Sequence, residues 1–288
     1  MIGSYLGERW VVEPEGWKLL APPRRELELS DEASVMRYFE KYAPEAILHL
    51  AAHRDATSAE RRRGERDAAS AVWRDNVVAT RVLAAAAERH GGFLVHVSTD
   101  FVFGGTESFR GPYRESDSPE DDEDVLSWYG VTKREAERLA LAAGRNAVVR
   151  IGNVTRAGNE PMLDYVGKIC ALLVTGRLYP MFDDQLVTLT SISALDRLVR
   201  RLLATRSAGV FHCASRDRCT PHELGQFLAS GLGLDPRAVQ GGSVDAFLAQ
   251  FPRRYPKYGG LRIEATDAAL GLTSPSWTEI ASQFLKLY

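Results

Sequence analysis

The sequence predicts an α/β protein built on a doubly wound parallel sheet, and three observations carry that expectation. Short apolar runs at Ala46–Leu50, Phe93–Val97, Ala147–Ile151 and Val210–Ala214 alternate with segments of helical periodicity, the pattern of strands joined by helical crossovers. Two of the runs end in small or hydroxyl residues, Ala51-Ala52 and Ser98-Thr99, and ligands in such sheets sit beyond the carboxyl ends of the strands. The alternation changes character beyond Gly152. The division expected is a parallel-sheet domain over 1–152, rejoined by a segment near 184–212, and a smaller part over 153–288.

Taken in order, Met1-Ile2-Gly3-Ser4-Tyr5-Leu6-Gly7 reads as the opening turns of a helix. Trp17–Ala21 has the composition of a short strand, ended by Pro22-Pro23 and followed by Arg24-Arg25. The end of the second strand is where an acid would hold an NAD ribose or an arginine an NADP phosphate. Two arginines stand there and no acid, which leans towards NADP(H) over NAD(H); two solvated arginines are the plain alternative. Ser30-Asp31 can cap a helix carrying Val35, Tyr38 and Phe39 at helical spacing, closed by Pro44. The run Glu60-Arg61-Arg62-Arg63-Gly64-Glu65-Arg66 is charge-dense and reads first as a solvated loop or helix end, with a phosphate clamp as the lesser reading. Asn76 opens the next helix, in which Val78, Val82 and Ala86 face the sheet and Ala84–Ala87 favour helix; Gly91-Gly92 stops it. The stretch 117–124 is acidic and interrupted by Pro119, and reads as an exposed loop.

In the second part, helices are expected over Leu163–Thr175 and Ala194–Ala204, the latter with Leu195, Leu198, Val199 and Leu202 on one face. Pro221 starts another that reaches Leu232.

The bulk composition excludes several classes. A net charge of −2 with 26% charged residues gives no bias towards nucleic acid or an anionic membrane. No apolar run approaches the roughly 20 residues of a membrane helix, and no signal peptide is visible. Three scattered cysteines, Cys170, Cys213 and Cys219, form neither a disulfide framework nor a metal-ligand spacing, so no metal is expected and a cytoplasmic location is.

The chemistry concentrates between Val95 and Glu137. Tyr129 and Lys133 are four residues apart, on one face of a helix. A free tyrosine titrates near about 10, and an adjacent ammonium favours its phenolate. That suits a phenol exchanging a proton near neutral pH, with the hydroxyl of Ser98 or Thr99 holding a substrate oxygen. A Tyr-x-x-x-Lys pair by itself is common on solvated helices. Here it follows a strand ending in Ser98-Thr99-Asp100, the loop Phe101-Val102-Phe103-Gly104-Gly105 and the segment Pro112-Tyr113-Arg114-Glu115.

Together these motifs resemble the extended short-chain dehydrogenase/reductase superfamily, and within it the dTDP-4-dehydrorhamnose reductase family. The resemblance extends, with gaps, over most of the chain: Glu28-Leu29, Ala51-Ala52, Asn76, Arg150, Asp183-Asp184-Gln185 and Leu270-Gly271 with Trp277 also match. It departs at Val187–Thr190, where the family carries Gly-Ser-Pro-Thr. It implies a Rossmann-type fold, and it assigns dinucleotide binding to 1–152 and mainly substrate binding to 153–288. It also implies catalysis by Thr99, Tyr129 and Lys133, and cofactor contacts from Gly3, Arg24, Arg25, Glu28, Leu29, Ala51, Ala52, Asn76, Tyr129 and Lys133. Substrate contacts fall to Ser98, Thr99, Asp100, Val102, Phe103, Tyr129 and Arg254. The reaction implied is reduction of the 4-keto group of a nucleotide-linked deoxysugar by NADPH or NADH. An epimerase or dehydratase that keeps its NAD bound, and an inactive regulatory subunit, are the alternatives. A homodimer is left open.

At the start of the chain the resemblance is incomplete. The family begins with a buried strand and a Gly-x-x-Gly-x-x-Gly turn whose glycines let backbone approach a pyrophosphate, and only Gly3 matches. The expectation is that Met1 is an internal methionine of a chain about ten residues longer. The alternative is a truly short chain that binds dinucleotide poorly.

Overall fold

The computed structural model describes residues 2–12, 16–156, 164–251 and 254–286. In chain order the elements begin α1 (Ile2–Val12), α2 (Glu32–Tyr42), β1 (Ala46–His49), α3 (Ala56–Glu60), α4 (Ala71–Trp73), a π-helical turn (Arg74–Val78), α5 (Ala79–His90), β2 (Phe93–Thr99), a 3-10 turn (Asp100–Val102) and α6 (Trp128–Leu141). They continue with β3 (Ala147–Ile151), β4 (Asn153–Thr155), α7 (Tyr165–Val174), β5 (Met181–Phe182), β6 (Leu189–Ser191), α8 (Ile192–Thr205), β7 (Gly209–Cys213), α9 (Pro221–Gly231), β8 (Gly241–Gly242), α10 (Val244–Gln250), α11 (Glu264–Leu270) and α12 (Trp277–Leu285).

Two compact units share the chain. The first holds residues 1–98, 128–149 and 199–210; the second holds 99–127, 150–198 and 211–288. The expected division put 1–152 together. Instead the loop after β2 leaves the first unit, and the segment that returns to it is 199–210. A loop between a strand and its crossover helix can pack with whatever apolar surface its own side chains match, and linear order does not show which that is.

The main sheet has strand order β1-β2-β3-β7, with β1 and β2 parallel and His49 opposite His96. Every residue of β2 and β3 is buried, as expected of strands covered on both faces. β1 is the terminal strand of this order, and its burial fades from His49 back to an exposed Ala46. Trp17–Ala21, expected as a strand, is not one. A strand is stable only when its backbone groups pair with a neighbour, and no described strand lies on the open side of β1. Trp17 packs edge-on against Trp10 instead, ring centroids 5.8 Å apart.

Local chemistry explains the helices. Asp31 caps α2 by accepting from Ser34 N–H, and Ala43 ends it in the left-handed region at φ 43°. Gly91 ends α5 at φ 72°. The helix expected to open at Asn76 begins earlier, behind Ser70, and Asn76 lies inside the π turn. Val35, Phe39, Val82, Leu83 and Ala86 close one apolar cluster between α2 and α5. Ala84, Ala87, Leu94, Ala140 and Val148 close another, where small side chains let α5 and α6 lie against β2 and β3. The buried Asn146 side chain accepts from Leu94 N–H and donates to the Ala140 carbonyl, fixing the end of α6 to the sheet.

In the second unit β4 pairs in parallel with β6 and β5 with β8. Helices α7, α9 and α12 surround a core that includes Val166, Ile169, Leu189, Leu224, Leu228, Ile280 and Phe284. Leu163, the expected start of α7, lies outside the described residues; the helix begins at Tyr165 behind Asp164. Thr220 with Glu223, and Ser276 with Glu279, form reciprocal capping boxes for α9 and α12. The expected face of α8 is buried at Leu195, Leu198, Val199 and Leu202. No described helix is long and apolar enough to cross a membrane.

Candidate active site

In the first unit, α6 starts at Trp128, whose backbone N–H donates to Glu60 Oε2 at 2.8 Å. That bond satisfies one of the amides left open at a helix start. Arg63 donates to the same carboxylate from Nε at 2.7 Å and from Nη2 at 3.2 Å. The Arg63 and Arg66 guanidiniums lie 5.7 and 5.2 Å from the Trp128 ring centre, and Trp128 stacks on Trp73 at 6.0 Å. The charge-dense run, read from sequence as a solvated loop, thus packs two of its arginines over the start of α6. Tryptophan faces attract guanidinium groups, and that attraction becomes available only once the chain folds back.

Tyr129 follows, partly exposed in the first turn of α6. Its carbonyl accepts from the Thr132 hydroxyl at 2.8 Å, and Thr132 Oγ1 accepts from Asn76 Nδ2 at 2.9 Å. Asn76, 1% exposed, also holds both backbone groups of His53: its Oδ1 accepts from His53 N–H at 2.7 Å and its Nδ2 donates to the His53 carbonyl at 3.0 Å. Its amide therefore works inside the protein, tying the turn after β1 to the first turn of α6.

Lys133 is 2% exposed. Its Nζ donates to the Val97 carbonyl at 2.8 Å and lies 2.9 Å from His96 Nε2. Burial lowers its pKa to about 7, against the opposing pull of the Glu137 carboxylate. Burial also pushes His96 well below the ordinary histidine value, with Lys133 adding to the effect. His96 is thus held neutral, with its Nε2 within hydrogen-bond distance of the amine. His49 packs 5.1 Å from His96 and contacts Thr80 Oγ1 at 3.1 Å. Both histidines are packing residues, and His96 is the partner of Lys133 that sequence reasoning missed. The signal was its position: two residues before Ser98 on a strand, it faces the same side as that hydroxyl.

The cofactor candidates lie on the open side of this unit. Gly3 is exposed in α1, and a side chain there would make only ordinary contact with Leu50 at 3.8 Å. Ala51 is exposed and Ala52 partly so. The β1–β2 register ends with His49 opposite His96, so Ala51 follows the carboxyl end of β1 and Ser98 lies near that of the adjacent β2. Ser98 Oγ is buried with no hydrogen-bond partner. An open turn of small residues after one strand and an unpaired hydroxyl near the end of the next fit a dinucleotide. Arg24 is already engaged, bonded to Glu28 at 2.7 Å and to Asp75 at 3.1 Å. Glu28 also accepts from Ser30 Oγ at 2.9 Å, and Leu29 packs against the α2–α5 cluster. Arg25 is exposed, with no side-chain partner among the described residues.

In the second unit, Thr99 ends β2. Its Oγ1 accepts from Phe101 N–H at 3.3 Å and donates to Asp100 Oδ1 at 3.2 Å. Burial pushes Asp100 up to about 6 against the hydrogen bonds it receives. Val102 and Phe103, expected to touch substrate, are fully buried with Tyr113, Leu261 and Ile263. That corrects the expectation for their side chains, which offer no surface to a ligand. An apolar residue beside a polar motif fits a core or a binding wall equally well in sequence. The Phe103 ring lies parallel to Tyr113 at 3.9 Å, and the Arg150 guanidinium is 4.9 Å from its centre. Gly105 must be glycine: φ is +60°, and a Cβ would stand 2.7 Å from Pro256. Arg254 donates from Nε to the Asp124 carbonyl at 2.7 Å and pairs with its carboxylate, so the acidic loop holds it. Arg253, read with it as a basic segment, lies outside the described residues. Among the described residues no acidic, histidine or cysteine cluster could hold a metal.

Comparison with known proteins completes the picture. A probable low-salt glycan biosynthesis reductase of Haloferax volcanii is 26% identical over 88% of this chain and 81% of its own. The methionine adenosyltransferase 2 subunit beta of Xenopus laevis is 28% identical over 78% of this chain, which spans 66% of that protein. Among solved structures, dTDP-4-dehydrorhamnose reductase of Bacillus anthracis in complex with NADP superposes with a TM-score of 0.83 at 21% identity, over 99% of this chain and 95% of its own. At that identity the likeness shows the fold. The model of the RmlD substrate binding domain matches residues 2–288, and the chain therefore belongs to that family, of the extended short-chain dehydrogenase/reductase type, which contains NAD(P)-dependent reductases.

Proposed function

We propose that the chain reduces the 4-keto group of a nucleotide-linked deoxysugar, with NADPH preferred to NADH. Bound NAD(P)H would supply the hydride. The observation that carries the reading is the partly exposed Tyr129 in the first turn of a helix whose start is fastened by Glu60, Asn76 and Thr132. The phenol would protonate the alkoxide left by hydride addition, a general-acid role typically worth about 10²–10⁴-fold. Lys133, expected to lower the phenol's pKa and hold the nicotinamide ribose, would act from its place on the Val97 carbonyl. Thr99 and Ser98 would hold the sugar oxygen. The exposed Arg25 is the group for a 2′-phosphate, since Arg24 is spent on Glu28 and Asp75.

Consumption of NADPH or NADH with dTDP-4-keto-6-deoxy sugars tests the reading. Turnover with net cofactor oxidation supports it. Cofactor retained through purification, with sugar converted and no net oxidation, would replace it by the epimerase or dehydratase reading. A second reading, a regulatory subunit without turnover, is favoured by the relative named as a methionine adenosyltransferase subunit. An NADPH titration with no binding and no turnover would select it.

A further inference from the structure

We propose that Asp100 decides whether Thr99 can give its hydroxyl proton to a substrate oxygen or can only receive one. A threonine hydroxyl has one proton and two lone pairs. Here Phe101 N–H occupies one lone pair, and the proton goes to Asp100 Oδ1 at 3.2 Å. While Asp100 is ionised it has no proton of its own, so it accepts, and Thr99 keeps one lone pair for a ligand. In that state Thr99 receives a hydrogen bond from an alcohol but has nothing to offer a ketone. When Asp100 takes a proton from solvent, its O–H donates to Thr99. Both lone pairs are then filled and the threonine proton turns outward, suited to a ketone oxygen or a developing alkoxide.

The carboxyl group has reason to switch near neutrality. Burial raises it to about 6, while hydrogen bonds from Thr99 and from the backbone amides of Asp100 and Phe101 restrain the rise. Of the ionisable groups around it, Tyr113 is pushed up to about 12 by burial first, with Asp100, Glu120 and Asp117 adding to the effect; it stays neutral through this range. The Arg150 guanidinium lies over Phe103. Asp100 is thus a positioning residue acting through Thr99, and its consequence for turnover rests on the reductase reading above.

The threonine methyl signals of selectively labelled protein provide the direct test, with Thr99 assigned by the loss of its signal in Thr99→Val. The Thr99 signal is expected to shift with pH at a midpoint near 6, and to stay flat in Asp100→Asn, whose amide can donate at every pH. A flat wild-type signal from pH 4.5 to 8 overturns the proposal, whatever the activity. In kinetics, ketone reduction is expected to fall about tenfold as pH rises through this titration, the effect of one hydrogen bond. Oxidation of the alcohol should change the opposite way, and Asp100→Asn should lose the part of each step with its midpoint near 6. Lys133, held at about 7, titrates in both proteins, so identical pH profiles for wild type and Asp100→Asn overturn the proposal. A titrating Thr99 signal in a protein without reductase activity supports the toggle and removes the reductase reading instead.

Discussion

Two regions of the first unit are built to different standards. Around β2 and α6 the Lys133 amine, the Val97 carbonyl and the side chains of His96, Thr132 and Asn76 are buried, and hydrogen bonds join them in two groups. Around β1 and α1 the sheet ends, Ala46 is exposed and Trp17–Ala21 is not a strand. The difference is one of pairing: the start of α6 is held by hydrogen bonds from β2 and from the turns before α5, while β1 has a paired neighbour on one side only among the described residues.

Replacing Tyr129 with Phe breaks the comparison on its stronger side and should have the largest effect. Turnover is expected to fall at least about 100-fold, with little change in the unfolding midpoint. Near-normal turnover would remove the phenol from the mechanism.

Lys133→Met comes next. The folded pKa of about 7 lies below the ordinary 10.5, so between those values the unfolded chain binds a proton that the folded chain declines. Wild-type stability relative to the variant should therefore rise with pH from about 7 to 10.5, with its full penalty below 7. Thermal midpoints at pH 6, 8 and 9.5 are the measurement. The gap should move by more than about 2–4 °C, the shift that ~1 kcal/mol produces at this size. A constant gap would mean that the buried amine carries its proton throughout.

Glu60→Gln should act more gently. It weakens the bond to Trp128 N–H and the pairing with Arg63. A loss of about 1 kcal/mol in stability and a few-fold fall in turnover are expected, together with changed fluorescence from the Trp73–Trp128 pair. Unchanged fluorescence would show that the clamp does not depend on this carboxylate.

On the open side, Arg25→Ala should weaken NADPH binding several-fold, the scale of one exposed charge contact, and leave NADH untouched. Equal loss for both cofactors would place Arg25 away from any 2′-phosphate.

These expectations divide along the line between what was legible in the sequence and what was not. The face of α8, the Asp31 cap and the β2 run follow from periodicity and capping chemistry, which act over a few residues. The spacing of Tyr129 and Lys133 on one helix face is equally local. The partner of Lys133 is not, because His96 lies far back in sequence on a strand. Nor was the fate of the arginines after Glu60 legible: a solvated charge run and a stack on two tryptophans have the same composition. Trp17–Ala21 had strand composition without a neighbour to pair with. Val102 and Phe103 were apolar residues whose side of the fold no local pattern marks.

By itself, then, the order of residues determined the alternation of strands and helices, the helix ends, which hydroxyl closes the central strand, and which phenol and amine share one helix face. Tertiary structure alone decided which carbonyl receives the lysine, which side chains stack on Trp128, and which described strand stands at the edge of the sheet. The first set depends on interactions between near neighbours in the chain. The second depends on burial and on pairing between distant segments, whose energies exist only after the chain has brought them together.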